Sequence, residues 1–439
     1  MKRAFWVTVV SVIGVLVFSL FLRSHNYSTW PRMGATFDEF AWPWLGISII
    51  KDGVPRSWSY HPQYKDRQLV VWKGANFILV RPYLEHPPLF GMVAGGYAWL
   101  TGQKDFTQVR LVKMRALSLF FGASSVALVF WLATLLYGKL TGLLAALVYA
   151  VTPTVAVGSR LLQNENFFIP VWLLVLILLW YYLKKKKTVY RNAAAVLSGL
   201  LILAKIPWVT AGLSVFAILW YAKRYKDAWI SLLMALGIGS LYILYGMYYD
   251  KTVFMGLMSL QLNRYDITFI GLYSLWLHPL LADRYYLDGW IYWGWASLLI
   301  TIATIKKHWF LLIAVFSYGM IYVLGIPDEP GHGWYRYPFY PFLSIATALV
   351  LKEIAIKNPF YRFVFLLAVG LPLLNATWGA QFGFSYLIYR FYILFASLSF
   401  LPYIWRSTQG NRIANISFII QSIFIIFLTS WAIMGYNEQ

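Results

Sequence analysis

Residues 166–187 read NFFIPVWLLVLILLWYYLKKKK. Residues 166–183 carry no charge, and four lysines follow at once. An apolar run of this length crosses a hydrocarbon core of roughly 30 Å as an α-helix. Lys and Arg are retained on the cytoplasmic side of a membrane, so Lys184–Lys187 mark the inner end. One stretch thus gives both the kind of fold and its direction.

Working outward, comparable apolar runs occupy residues 4–22, 115–136, 140–158, 228–249 and 414–432. The 439-residue chain is 60% hydrophobic and only 12% charged, whereas a soluble domain carries about 25%. The expectation is an all-α, polytopic membrane helical bundle of about 13 transmembrane helices with juxtamembrane helices in its first outer loop. It forms a single integral-membrane domain over 1–439. Residues 1–222 read as a catalytic-type module with outer loop 23–88, and 223–439 as C-terminal helices with outer loop 250–288. Met1-Lys2-Arg3 before an apolar run reads as a retained signal anchor. The net charge of +21 lies in short basic runs, such as Lys223-Arg224-Tyr225-Lys226, between spans. That placement encodes topology and contact with anionic lipid, not nucleic-acid binding. With no cysteine, disulfides and thiolate chemistry are excluded.

Topology decides which residues share a compartment. With Lys184–Lys187 inside, Glu165 lies outside; with Met1–Arg3 inside, so does loop 23–88. The turn Lys205-Ile206-Pro207 between two short helices falls outside, as does the segment 328–337. These anchors agree if residues 89–102, short for a span, do not cross fully. Residues 272–279 read as an interfacial helix. Only Asp227 and Glu353 then face the cytoplasm, so the protein works on its outer face.

Carboxylates are scarce, 16 against 37 Lys and Arg, and acids kept beside a bilayer need a reason. Phe37-Asp38-Glu39-Phe40-Ala41-Trp42-Pro43-Trp44 places an acidic pair among aromatics. Such a carboxylate can serve as a general base, or as a first-turn helix acid behind Thr36. Glu85-His86-Pro87-Pro88-Leu89 fixes an acid and a histidine at the entry to an apolar helix. Lys205, flanked by apolar helix on both sides, is costly without a role, although a snorkelling lysine has the same pattern. Arg336 among Tyr335 and Tyr337 suits a phosphate ligand or an interfacial anchor.

An acidic pair after the first span, followed by the Glu85-His86-Pro87-Pro88-Leu89 motif, resembles the GT-C glycosyltransferase superfamily. Within it, the chain is most similar to the protein-O-mannosyltransferase-like and lipid A aminoarabinose-transferase-like branch. Gly138-Lys139-Leu140, Arg160, Gln163-Asn164-Glu165, Lys205-Ile206-Pro207 and Tyr335-Arg336-Tyr337-Pro338 follow in the family's order. His86 stands where many members carry Lys. The resemblance implies transfer of a sugar from a polyprenyl-phosphate donor to an acceptor hydroxyl, on the extracytoplasmic face, by one inverting displacement. It implies Asp38, Glu85 and Glu165 as catalytic residues. Glu39, His86, Lys205, Tyr335, Arg336 and Tyr337 would bind substrate or lipid phosphate. The partners implied are the lipid-linked donor, a protein, lipid or glycan acceptor, and membrane lipid, in a prokaryotic plasma membrane.

His61, His278 and His332 show no ligand spacing. No cofactor is expected, and metal independence follows as an expectation. Two other readings stand beside the enzyme. A transporter or flippase would keep charge near the bilayer midplane and show repeats. A non-catalytic relative would keep the fold without the chemistry.

Overall fold

The computed structural model describes residues 2–263, 273, 275–276, 280–325 and 332–438. The elements in the first half are α1 (Lys2–Ser24), α2 (Asp38–Asp52), β1 (Ser57–Trp58), β2 (Asp66–Trp72), β3 (Ala75–Arg81) and α3 (Leu89–Leu100). Then come α4 (Leu111–Tyr137), α5 (Lys139–Val151), α6 (Pro153–Gly158), α7 (Asn164–Lys185), α8 (Thr188–Ile202), α9 (Val209–Tyr221), α10 (Tyr225–Gly239) and α11 (Leu241–Leu262). A two-stranded hairpin, β4 (Leu280–Leu281) and β5 (Arg284–Tyr285), precedes the helices of the C-terminal part.

Among the described residues, nine helices are long and apolar enough to cross a membrane, and four shorter apolar helices accompany them. The protein is a multi-pass integral membrane protein. Its peripheral helices expose apolar side chains, Val10, Ile13, Val17 and Phe21 on α1 and Ile416, Ile419, Ile423 and Phe427 near the C-terminus. Stripes of this size mark an interaction surface on a soluble protein; here they suit lipid. Helix α7 begins beside Glu165 and ends at Lys185, and its 22 residues rise about 33 Å. The lysine run and the candidate acid therefore lie at opposite ends of the bundle.

The segment between α1 and α4 is built around two short helices. A Cβ on Gly46 of α2 would lie 2.1 Å from the Gly91 carbonyl oxygen, and one on Gly95 of α3 would lie 2.4 Å from Gly46 Cα. Only glycine allows this backbone-to-backbone crossing. Helix α3 has 12 residues, about 18 Å of rise, too little for a span. The loop also holds an antiparallel sheet in the order β1-β3-β2, which a helix-only reading leaves out. Its signal is two β-rich runs, DRQLVVW and ANFILVR, joined by Lys73-Gly74. Both turn residues have positive φ, 50° and 78°, as a type I′ hairpin turn requires.

Helices α8 and α9 flank a short 3₁₀ turn, Ile206–Trp208, with Lys205 at its start. Helix α11 breaks at Asp250 (φ −164°, ψ 102°), whose carboxylate accepts from the Val253 amide at 3.0 Å and so caps the next segment. Most of the expected interfacial helix at 272–279 lies outside the described residues, as do Asp266, His278, Asp328 and Glu329.

Candidate active site

Asp38 and Glu39 begin α2, yet they face different surroundings. Glu39 is sealed in the interior. Its Oε1 accepts from Arg115 Nε at 2.9 Å and from the Leu162 amide at 3.0 Å, and its Oε2 accepts from Arg115 Nη2 at 2.7 Å. Both partners of this bidentate pair are fully buried. Arg115 also donates to the Tyr27 carbonyl at 2.9 Å. The pair ties α2 to α4 and to the segment before α7.

Asp38 remains partly open. Its amide donates to Thr36 Oγ1 at 3.2 Å, an alternative to the helical ladder typical of Thr at a helix start. Gln163 Nε2 donates both to Thr36 Oγ1 at 2.9 Å and to Asp38 Oδ2 at 3.3 Å. Burial raises the Asp38 carboxyl above its usual range. Lys205, the Gln163 hydrogen bond and His332 pull it back, while the Glu165 charge pushes it further up. These opposing influences bring Asp38, Glu165, Lys205 and His332 into one electrostatic neighbourhood.

Glu165, in the first turn of α7, accepts from Lys205 Nζ at 2.7 Å through Oε1. Its Oε2 is buried with no hydrogen-bond partner among the described residues. Lys205 is set by the turn between α8 and α9. Asn164 Nδ2 donates to the Ala204 carbonyl at 2.8 Å and Asn164 Oδ1 accepts from Trp208 Nε1 at 2.7 Å, clasping that turn to α7. The ammonium lies 4.5 Å from the Tyr335 ring centroid and 5.7 Å from that of Trp208, within cation–π range. Burial alone would lower the Lys205 pKa, but Glu165, Tyr335 and Asp38 hold it above the ordinary value. The lysine therefore stays charged.

Glu85 is held from the sheet. Ser59 Oγ donates to Oε2 at 2.8 Å, and His61 Nε2 stands 3.2 Å from Oε1. His86 Nε2 lies 4.0 Å from the same Oε1, its ring 5.4 Å from that of Trp42. Burial would raise the Glu85 carboxyl, but His61, His86 and Ser59 outweigh it and leave the pKa lowered. The preceding residue is pinned as well: the Leu84 amide donates to Tyr64 Oη at 3.0 Å and its carbonyl accepts from Tyr242 Oη at 2.7 Å.

A cavity of about 1170 Å³ opens beside these groups. Glu85, His86, Lys205 and Tyr335 supply polar lining, while Leu236, Ile243, Met247, Phe254, Met255 and Met258 make its walls mainly apolar. A mostly apolar chamber with a few convergent polar groups is the usual form of a ligand site. Asp38, Glu165, Arg336 and Tyr337 are not among its lining residues. Tyr337 Oη accepts from the Ala282 amide at 3.4 Å and packs against Gly158. Arg336 is buried within the 3₁₀ segment Gly333–Phe339. Among the described residues, no cluster of three or more His, Asp or Glu is placed to hold a metal ion.

The structure thus brings together Asp38, Glu165 and Lys205, and joins Glu85, His86, Lys205 and Tyr335 through the cavity. Glu39 belongs instead to a closed ion pair. Sequence reasoning missed Ser59, His61, Arg115 and Gln163. Arg115 did leave a signal, as a lone arginine in the otherwise apolar run 115–136; the others are ordinary loop residues.

This helical membrane bundle with its juxtamembrane helix pair has counterparts among solved membrane proteins. The structure resembles ArnT of Cupriavidus metallidurans, solved bound to undecaprenyl phosphate, with TM-score 0.60 at 15% identity over 98% of this chain and 77% of that one. It resembles AglB, an archaeal oligosaccharyltransferase of Archaeoglobus fulgidus solved with an inhibitory peptide and a dolichol-phosphate. There the TM-score is 0.55 at 14% identity, over 100% of this chain and 57% of that one. It also resembles the arabinosyltransferase EmbB of Mycobacterium smegmatis, with TM-score 0.56 at 12% identity over 96% and 41%. Residues 85–245 match the family model for dolichyl-phosphate-mannose-protein mannosyltransferase. A search of curated protein sequences finds no match. The chain thus shares the fold of these membrane glycosyltransferases, and the family match covers residues 85–245.

Proposed function

We propose that the protein is a membrane glycosyltransferase that moves a sugar from a polyprenyl-phosphate donor to an acceptor hydroxyl on the extracytoplasmic face. The observation that carries this reading is the meeting of Asp38, Glu165 and Lys205 beside a cavity whose walls are mainly apolar and whose polar lining includes Glu85, His86, Lys205 and Tyr335. An isoprenyl tail suits the walls, and a phosphate suits the lysine. That neighbourhood lies at the end of α7 remote from Lys184 and Lys185, which the positive-inside rule puts outside.

Asp38 is the general base in this scheme. Its raised pKa makes it a better proton acceptor than an ordinary aspartate, and Gln163 fixes its orientation. It takes the proton of the acceptor hydroxyl as that oxygen attacks the anomeric carbon. The bond from that carbon to the lipid phosphate breaks, configuration inverts, and the phosphate leaves with the electron pair. Lys205 stabilises the developing negative charge. The free Oε2 of Glu165 accepts from a sugar or acceptor hydroxyl. Tyr335 shields Lys205, and His86 donates to the phosphate.

Replacing Asp38 by Asn keeps shape and removes the base. D38N is expected to lower transfer from undecaprenyl-phosphate-linked sugars by about 10²–10⁴-fold, measured as release of undecaprenyl phosphate in proteoliposomes. Transfer at the unaltered rate would rule out this role. The displacement needs no metal in this scheme, so EDTA is expected to leave the rate unchanged; loss of rate reversed by a divalent ion would refute that step.

A further inference from the structure

Asp38 is influenced from separate parts of the chain. Gln163 and Glu165 stand at the start of α7, and Lys205 at the turn after α8. His332 comes from the residue before the 3₁₀ segment Gly333–Phe339. It favours the ionised form of Asp38, and Tyr335, three residues on, covers the Lys205 ammonium at 4.5 Å. The placement of this segment therefore sets part of the field at Asp38.

The β4–β5 hairpin holds the segment. The Gly333 amide donates to the Ala282 carbonyl at 2.6 Å, and the Ala282 amide donates to Tyr337 Oη at 3.4 Å. A Cβ on Gly333 would lie 2.5 Å from the Leu280 carbonyl oxygen, so only glycine allows the two backbones this close. The hairpin has two residues in each strand, and so small a pair is not stable alone. It needs support from elsewhere.

Arg32, six residues before Asp38, supplies it. Arg32 Nη2 donates to Asp283 Oδ2 at 2.8 Å, and the Arg32 carbonyl accepts from the Ala35 amide at 3.1 Å on the approach to α2. Glu438, whose side chain is 1% exposed, fixes the arginine in turn. Its Oε2 accepts from the Arg32 amide at 3.1 Å and stands 3.4 Å from Arg32 Nε. Tyr436 Oη donates to Oε1 at 2.9 Å, and Arg284 Nη1 donates to the Glu438 carbonyl at 3.3 Å. The Tyr286 and Tyr436 rings lie 6.0 Å apart. Arg32 and Asp283 are themselves 41% and 28% exposed, and an ion pair so open to water adds little to stability. What it does is join the segment leading to Asp38 with the hairpin that holds Gly333.

We propose that Arg32 and Asp283, backed by Glu438, are positioning residues for the transfer reaction: their ion pair fixes the His332–Tyr335 segment against Asp38 and Lys205. This inference rests on Asp38 as the base of the scheme above. The three residues are not among those lining the cavity and act only through the hairpin.

The test follows transfer from undecaprenyl-phosphate-linked sugars across pH, with the full-length protein in proteoliposomes. R32M is expected to lower the rate about tenfold. It is also expected to move the acidic limb to higher pH, because His332 no longer favours ionised Asp38. D283N is expected to do the same, and it carries the expectation if R32M does not fold. R32M/D283N should match the single variants, since one link is lost only once. R32K keeps a cation opposite Asp283 and is expected to stay within about threefold of the unaltered protein. An unmoved limb in R32M or D283N, whatever the rate, would overturn the proposal, as would effects that multiply in the double variant. An acidic limb that is absent from the unaltered protein, or that D38N leaves in place, would overturn Asp38 as the base. A limb lost in D38N but unmoved in R32M and D283N overturns only the role of the ion pair.

Discussion

Two buried carboxylate–cation pairs flank Asp38, and they differ in one respect. In Glu39–Arg115 both oxygens are engaged, three donors converge on them, and neither residue is exposed. In Glu165–Lys205 one oxygen is engaged, the other has no partner among the described residues, and the lysine opens onto the cavity. The first pair has no capacity left for a ligand; the second retains an acceptor and a cation. Neighbours in sequence thus separate in surroundings: Glu39 is locked into an ion pair that holds α2, and Asp38, the base of the scheme proposed above, is partly open. The open pair is the one whose acid and base reach Asp38 electrostatically.

The largest expected effect breaks the closed pair. R115M leaves Glu39 buried with its charge uncompensated, at a cost of about 3–5 kcal/mol. Thermal unfolding followed by tryptophan fluorescence in detergent is expected to show a clear loss of stability. Arg115 is not among the residues lining the cavity, so protein that remains folded should still bind undecaprenyl phosphate. Unaltered stability would mean that the pair does not organise α2, and the contrast between the two sites would fail.

How much of this was legible in the sequence depends on distance along the chain. Length and hydropathy revealed the bundle, because an apolar helix satisfies its own backbone and needs no partner for its recognition. Asp38, Glu85, Glu165 and Lys205 stood out because charge is scarce beside apolar runs. The partition between Asp38 and Glu39 was hidden, since it depends on Arg115, 76 residues away. Gln163 is 125 residues from Asp38, and His61 is 24 from Glu85; local pattern carries no trace of such pairings. The β2–β3 hairpin was readable from its Lys-Gly turn. Arg336 and Tyr337 illustrate the converse: their motif was visible, yet the fold buries them away from the cavity lining.

A smaller effect on stability, and a larger one on chemistry, is expected from the open pair. K205M removes the cation that the proposed scheme sets against the leaving phosphate and is expected to lower the transfer rate about 10²–10³-fold. Its unfolding should change less than that of R115M, because Lys205, unlike Arg115, lines the cavity, where water can take the place of its ammonium. A variant that loses stability as severely as R115M while its folded fraction transfers normally would reverse the assignment of the two pairs.

The finest distinction is the sign of a pH shift. Activity that needs ionised Asp38 falls as pH drops through the Asp38 pKa, which lies above the ordinary aspartate value. Lys205 favours the ionised form of Asp38 and Glu165 disfavours it. Removing the cation in K205M therefore raises the pKa, and the acidic limb of the rate profile is expected to move to higher pH. Removing the anion in E165Q lowers it, and the limb is expected to move to lower pH. The control is Q163A, which deletes a hydrogen bond to the carboxylate and should shift the limb upward, as K205M does. The residual rates of all three variants suffice for this measurement, since only the position of the limb is read. Shifts of the same sign in K205M and E165Q would mean that the pair influences Asp38 through structure rather than charge. Opposite shifts tie the base electrostatically to the open pair, whereas Glu39–Arg115 is closed on itself.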